Sequence, residues 1–539
     1  MMARFHSFLA LAMSLAGIAS LSAAAVPLPP AVKPNAGSSV GSPPAPEDGG
    51  PGTPENGQTE MPAEGDQGSE AAGDSAAAPS AGSDTAAGNP TTDDTSPDDS
   101  AGADEPDESA SDDHLDDLDD LDELDELEDS GGSVTIKGFL ANEFRYYLPD
   151  RDGPQNDERA ISELQLEFGA DLGGGVRALL RPWFLVDAVD TDLLRYEPLE
   201  AYLQIDGESW DLRGGQFIES WGITDTFNPL DVLNRRDSAV DMLNATGRGE
   251  LGLRARVHMS GGETIGEGTL SLYVLPYWRP TDFPTRDSRF AVAFPAPIIG
   301  PLFLDDAAAT RPDLENATFT ALRLEHTLNT STVNADLQYI VARGPGRFPS
   351  IAPDFTPPFR LVPEYYGELT VGAGFRAVPG GEALAPYTIK AEVSYKHSYE
   401  LDTPVTALPE SYLQYVAGVD RLLPAVFSQR DQLTLTVEYM GETGADDQMS
   451  AFRPFASDVA MRIAWDAGDL ARTAVDVRAI VDVHEAEVIG EAIVKRQLRF
   501  LHENLHAEVG GRWIRPAGDS FWNFFPKSSS LSGKLILDF

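Results

Sequence analysis

From about residue 133 to the last residue, apolar and polar side chains alternate with a period of two, in one run after another. Leu164, Leu166, Phe168 and Ala170 alternate with Glu163, Gln165, Glu167 and Asp171. Leu251, Leu253, Ala255 and Val257 alternate with Gly252, Arg254, Arg256 and His258. The same rhythm returns at 333–339, at 387–396 and at 475–484. Period two puts one set of side chains on each face of a strand. The apolar faces are rich in Val, Leu, Ala and Tyr, while the other faces carry charges of both signs. A soluble sandwich of this length would need large, mutually packed inner faces and some helical cover. The pattern instead fits strands that are apolar outward and polar inward, closed so that no edge is left unpaired in lipid.

Strands are expected to begin near residues 133, 161, 175, 197, 209, 249, 268, 316, 331, 365, 384, 411, 430, 454, 471, 490, 504 and 531. Short connections such as Gly173-Gly174-Gly175 and Asp206-Gly207-Glu208 alternate fairly consistently with long ones near 218–248, 279–315 and 344–364. The fold expected is therefore an all-β, transmembrane antiparallel β-barrel of about 14–18 strands, best read as 18. An even number places both ends of the barrel on one side of the membrane. The chain closes on Leu535, Leu537 and Phe539, alternating to a terminal aromatic. That ending resembles the C-terminal assembly signal of bacterial outer-membrane barrels, which implies the barrel-assembly machinery as a partner.

The first 132 residues obey different physics. Arg4 and His6, an apolar run from Phe8 to Leu21 and small residues at 22–25 read as a signal peptide over 1–25. The run is shorter than the roughly 20 residues a spanning helix needs. The chain has no cysteine, so disulfides, Cys-based zinc sites and a lipid-modified N-terminus are excluded. Residues 26–112 are mostly Ala, Gly, Pro, Ser, Thr, Asp and Glu, and are expected to be a disordered periplasmic arm. Within 113–132 lies an acidic repeat with Leu115, Leu118, Leu121, Leu124 and Leu127 three apart, followed by a Gly hinge. A period of three misses that of an α-helix, so no apolar face forms. A solvated spacer, a peptide that docks on a periplasmic partner and a weak calcium site all remain open for it. The net charge of -48 is concentrated here, since 41–130 carry 29 Asp and Glu and no Lys or Arg. Such acidity argues against nucleic acid and anionic lipid as partners of the arm. Residues 133–539 are left for the barrel, whose own partner is outer-membrane lipid.

Two motifs invite an enzymatic reading. His502-Glu503-Asn504-Leu505-His506 is a literal H-E-x-x-H, but a zinc peptidase needs both histidines on one helix face, and Asn504 reads as a turn between strands. The G-x-S-x-G at 37–41 lies in the arm with no strand before it. No catalytic residue, metal or cofactor is expected, and an outer-membrane hydrolase remains only as an alternative.

The most individual stretch runs from Arg213 to Asp237. Gly214 or Gly215, Gln216, Trp221, Gly222, Asn228, Pro229, Asp231, Arg236 and Asp237 form a G-x-Q-x-x-x-W-G strand end, an N-P-x-D turn and an Arg-Asp pair. This resembles a class of Gram-negative outer-membrane barrels that are porin-like and akin to alginate-export channels. The stretches 412–422 and 507–513 are similar in style, and the resemblance spans most of 133–539. It implies an outer-membrane, porin-like channel for diffusion or export of hydrophilic solutes, with the arm in the periplasm. A plugged barrel that anchors the arm for a transport or envelope-assembly partner is the alternative.

On its own residues, 218–248 is too long and polar for a tight turn. Folded inward, Trp221, Asn228, Asp231, Arg235, Arg236 and Asp237 would form a constriction; folded outward, an ordinary surface loop. Phe290, Phe294, Pro295, Pro297 and Ile298 mark a second lid candidate. Arg254, Arg256, Lys390, Glu392, Asp476 and Arg478 are expected to line the pore, within a mixed set that includes Arg177, Arg376, Lys396 and Arg512.

Overall fold

A computed structural model describes residues 133–148, 157–190, 193–284, 286, 288, 290–294, 302–313, 316–402, 405–444, 455, 457–484, 487–517 and 528–539. The signal peptide, the acidic arm, the Leu/Asp repeat, and Pro295, Pro297 and Ile298 of the second lid candidate lie outside them.

Eighteen long strands form one sheet: β1 (Val134–Tyr147), β2 (Glu158–Asp171), β3 (Val176–Asp187), β4 (Leu194–Asp206), β5 (Trp210–Phe217), β6 (Glu250–Met259), β7 (Ile265–Leu275), β8 (Phe319–Asn329), β9 (Val333–Pro345), β10 (Gly367–Pro379), β11 (Tyr387–Tyr399), β12 (Tyr412–Pro424), β13 (Gln432–Thr443), β14 (Ser457–Asp466), β15 (Ala474–Asp482), β16 (Val488–Gln497), β17 (Leu505–Arg515) and β18 (Ser530–Asp538). Each pairs antiparallel with the next in sequence, and β1 pairs with β18 from Phe139↔Asp538 to Tyr147↔Ser530. The sheet thus closes on itself and leaves no edge. In lipid each unpaired backbone group would cost several kcal/mol. At the seam the Phe539 amide donates to Gly138 O at 2.9 Å, and the Gly138 amide donates back at 2.8 Å.

The barrel is inside-out relative to a soluble protein. Leu253 is 55% exposed on the outer face, while Arg254 beside it is 1% exposed and points inward. Tyr146, Tyr196, Tyr395, Tyr439 and Trp513 stand exposed near one end of the strands, and Trp210, Phe427, Phe500 and Phe539 near the other. Two aromatic girdles around an apolar band mark a membrane-spanning wall. Among the described residues no helix is long and apolar enough to cross a membrane.

Every strand begins within three residues of the position read from the alternation. Eight short connections and both barrel termini share one end, the turn side. The opposite, loop side holds the long connections, although 188–193 and 483–487 there are shorter than the longer turns, such as 380–386 and 425–431.

Candidate functional site: a strap across the lumen

Residues 218–249, joining β5 to β6, fold into the barrel and cross it. The first part is apolar. Trp221 is fully buried, 5.1 Å from the Tyr273 ring, in a cluster with Leu230, Val232, Leu233, Phe319 and Ile340. Its carbonyl accepts from Gln338 Nε2 at 2.6 Å.

The turn that follows explains the Trp-Gly…Asn-Pro spacing. Asn228 Oδ1 accepts from the Thr224 amide at 3.1 Å and from its hydroxyl at 2.9 Å. A Cβ on Gly222 would sit 2.2 Å from the Asn228 carboxamide carbon, so only glycine lets that side chain fold back. The turn directs its amides at the far wall. Ile223, Thr224 and Leu230 donate to the Glu392 carboxylate of β11, the last two at 3.2 and 3.1 Å. Asp225 and Thr226 donate to Glu438 of β13 at 2.8 and 2.9 Å. The Asp225 carboxylate meets Lys390 and lies 3.7 Å from Arg462 of β14, the strand half-way round the ring from β5. Lys390 also lies 3.0 Å from Asp420 and 3.3 Å from Glu438. The wall makes room: a Cβ on Gly372 would meet Leu230 Cδ2 at 2.3 Å, and one on Gly374 would meet Ile223 Cδ1 at 2.9 Å.

The strap then returns and turns toward the seam. Arg235–Asp237 and Thr246–Arg248 pair as a short hairpin. Arg235 bonds Glu197 at 3.0 Å and Asp282 at 2.7 Å. Arg236 reaches Asp231, whereas Asp237 takes Arg195 and Arg248 at 3.2 and 3.0 Å, so the adjacent Arg-Asp of the motif is not itself an ion pair. Beyond the hairpin, Asp241 binds Arg512 of β17 at 2.7 Å and Arg145 of β1 at 3.0 Å. Burial alone would raise the Asp241 carboxyl, but Arg512 and Arg145 outweigh it and hold it well below the usual carboxylate range. Glu219, at the root of the strap, is likewise pushed up by burial and more than offset by Arg254, Arg256 and Arg213.

All six residues read as a constriction therefore belong to one inward segment, although Trp221 is packed away while Arg236 stays partly accessible. Of the residues read as pore lining, Arg254, Lys390 and Glu392 are buried in strap contacts. Arg256, Asp476 and Arg478 face the lumen beside it, with Asp476 bonded to Arg462 at 2.6 Å and Arg478 at 3.1 Å. Two residues absent from the sequence reading are structural keys: Asp241, and Arg347, whose guanidinium donates to the Val232 and Leu233 carbonyls. His502 lies in the turn before β17, and His506 on β17 itself pairs with Asp538 at 2.8 Å, so the H-E-x-x-H histidines share no helix face.

Around the strap the lumen is uneven. Toward the loop side, Phe290, Val292, Leu302 and Leu361 pack on inward-facing Val416, Met440, Ile489 and Ile514, together with Phe227 and Met242. A cavity of about 220 Å³ lies between strap residues 240–246 and strands β1–β3 and β16–β18. A larger one, about 620 Å³, lies on the turn side under Ile223, walled by β6–β9.

No protein-family model matches the chain. No curated protein matches it. Among solved structures, the chain is similar to OccK11 (OpdR) of Pseudomonas aeruginosa, at 11% identity and a TM-score of 0.41, covering 75% of this chain and 95% of that one. It is similar to a BenF-like porin from Pseudomonas fluorescens at 11% identity and a TM-score of 0.46, covering 76% and 98%. OccK2 (OpdF) of Pseudomonas aeruginosa, in complex with glucuronate, matches at 11% identity and a TM-score of 0.44, covering 76% and 97%.

Proposed function

We propose that the chain is an outer-membrane channel through which small hydrophilic solutes diffuse, with the strap as its constriction and the acidic arm of residues 26–132 in the periplasm. The observation that carries this reading is the strap itself. A barrel wall needs no segment across its lumen for stability in lipid, yet here one spans the full width and is tied to both sides by charge. Beside it the inner wall stays polar and carries both signs, as in Arg256, Asp476 and Arg478. Such a rim admits water and polar solutes and selects by size and charge. The reading requires no cofactor and no catalytic step.

A second reading has its own support. The apolar cluster of Phe290, Leu302, Leu361 and Phe227 on the inner wall fills part of the loop-side lumen. In that reading the barrel is plugged, and it serves to anchor the acidic N-terminal segment for a periplasmic partner.

Single-channel recording of the full-length chain in planar bilayers separates the two. Discrete open steps that enlarge on deleting 221–237 support the channel. Silence from well-folded protein, with and without that segment, would sink it and leave the plugged barrel.

A further inference from the structure

The turn-side cavity carries charge of both signs in an order. Arg256 of β6, Ser271 of β7 and Arg323 of β8 stand side by side in one rung of the inner wall. One rung nearer the turns come His258, Thr269, Glu325 and Gln338. Beyond them, Asp336 lies opposite Thr327, exposed, with no ion pair among the described residues. Two residues along a strand advance about 6.6 Å, a step that long side chains bridge. The cavity thus has a basic rung under the strap and an acidic rim toward the turns.

Arg323 is the hinge of this arrangement. Its guanidinium donates to Gln338 Oε1 at 2.9 Å, and Gln338 in turn holds the Trp221 carbonyl, so the arginine is positioned by the strap. It also pairs with Glu325 at 2.8 Å, and the Glu325 side chain is 37% exposed. The Arg323 side chain is 13% exposed, so solvent and a solute reach this pair from the glutamate side. A carboxylate alone would replace Glu325 on Arg323 and leave that glutamate facing Asp336 unneutralised. An ammonium alone would satisfy the acids and strand nothing new, but gains nothing from Arg323 and Arg256. A molecule with both groups replaces each partner of the resting pair at once.

We propose that this cavity is a binding site for a zwitterionic solute, an α-amino acid or a short peptide with free termini. Its carboxylate lies on Arg323, beside Arg256, which Glu219 already holds at 3.2 Å, and its ammonium on Glu325 and Asp336. The proposal rests on the channel reading for how the solute arrives, but binding is measurable without conduction. Calorimetry on the full chain in detergent micelles compares L-alanine, propionate and n-propylamine. L-Alanine is expected to bind about tenfold more tightly than either half-molecule, the effect of one further charge-assisted contact. Arg323→Gln is expected to weaken L-alanine and propionate together. Glu325→Gln is expected to weaken L-alanine and n-propylamine while leaving propionate unchanged or tighter. Both variants are checked for the compact, unheated electrophoretic form of a closed barrel. Propionate or n-propylamine binding as tightly as L-alanine would overturn the proposal, as would no binding of any of the three. L-Alanine binding to a barrel that never conducts would remove the channel reading and leave the site standing.

Discussion

Arg512 of β17 donates to the Asp241 carboxylate at 2.7 Å, a contact between residues 271 positions apart that ties the end of the strap to the barrel seam. Arg145 takes the other oxygen, so one strap carboxylate bridges two buried wall arginines, each of which also holds a wall glutamate, Glu143 and Glu491. Asp241→Asn leaves Arg512 to Glu491 and Arg145 to Glu143, and removes the one carboxylate that joins them to the strap. The expected cost is about 2 kcal/mol, the range of a lost hydrogen bond to a charged group rather than of a stranded charge. Urea unfolding in detergent reads that loss, and single-channel traces should show added flicker as the strap end comes free.

The same contact sets a pH window. Because the folded Asp241 carboxyl titrates below its unfolded value of about 3.9, its stabilisation is complete above that value and is lost as pH falls toward the folded one. The stability difference between wild type and Asp241→Asn is therefore expected to be constant from neutral pH to about pH 5 and to shrink below about pH 4. A difference that already halves near pH 6 would contradict the ion-pair account.

At the opposite wall, Gly372 holds the place of Leu230. Gly372→Val puts a branched side chain where Leu230 Cδ2 and the Val393 carbonyl already stand, at 2.3 and 2.8 Å from a Cβ. Overpacking of about 1–3 kcal/mol is expected, with larger conductance as the strap tip is pushed off Glu392. Leu230→Ala in the same chain should recover part of the stability by vacating the space.

Gly222→Ala tests the turn. Its methyl would strike the Asn228 carboxamide and break the bonds to Thr224. The amides of Ile223 and Thr224 would then no longer converge on Glu392. Channel noise should rise as much as in Asn228→Ala, and the double variant should be no worse than either single one, because both remove the same turn.

The wall was legible in the sequence because lipid and water impose a period of two on every strand, and no other influence overrides it. The inward path of 218–249 was only half legible. Trp221, Gly222, Asn228 and Pro229 announce an ordered turn, but not its direction. One signal for the direction lay on β10, where Gly372 and Gly374 alternate with Ala373 and Phe375 and leave the inner face bare. Glu392 and Glu438 read as ordinary lumen charges, since nothing local tells a carboxylate that faces water from one that faces main-chain amides. Asp241 gave no signal at all, because its partners Arg145 and Arg512 come from strands near the two ends of the barrel, far from it in sequence.

Five of the contacts that hold the strap tip run from backbone amides to two fixed carboxylates. Such a grip recognises the path of the main chain and is indifferent to most of the side chains along it. A position such as Thr226 is free to change size, charge or polarity while the tip stays docked. The barrel thereby separates what keeps its gate in place from what its gate selects, and new preferences can be written at the tip one residue at a time.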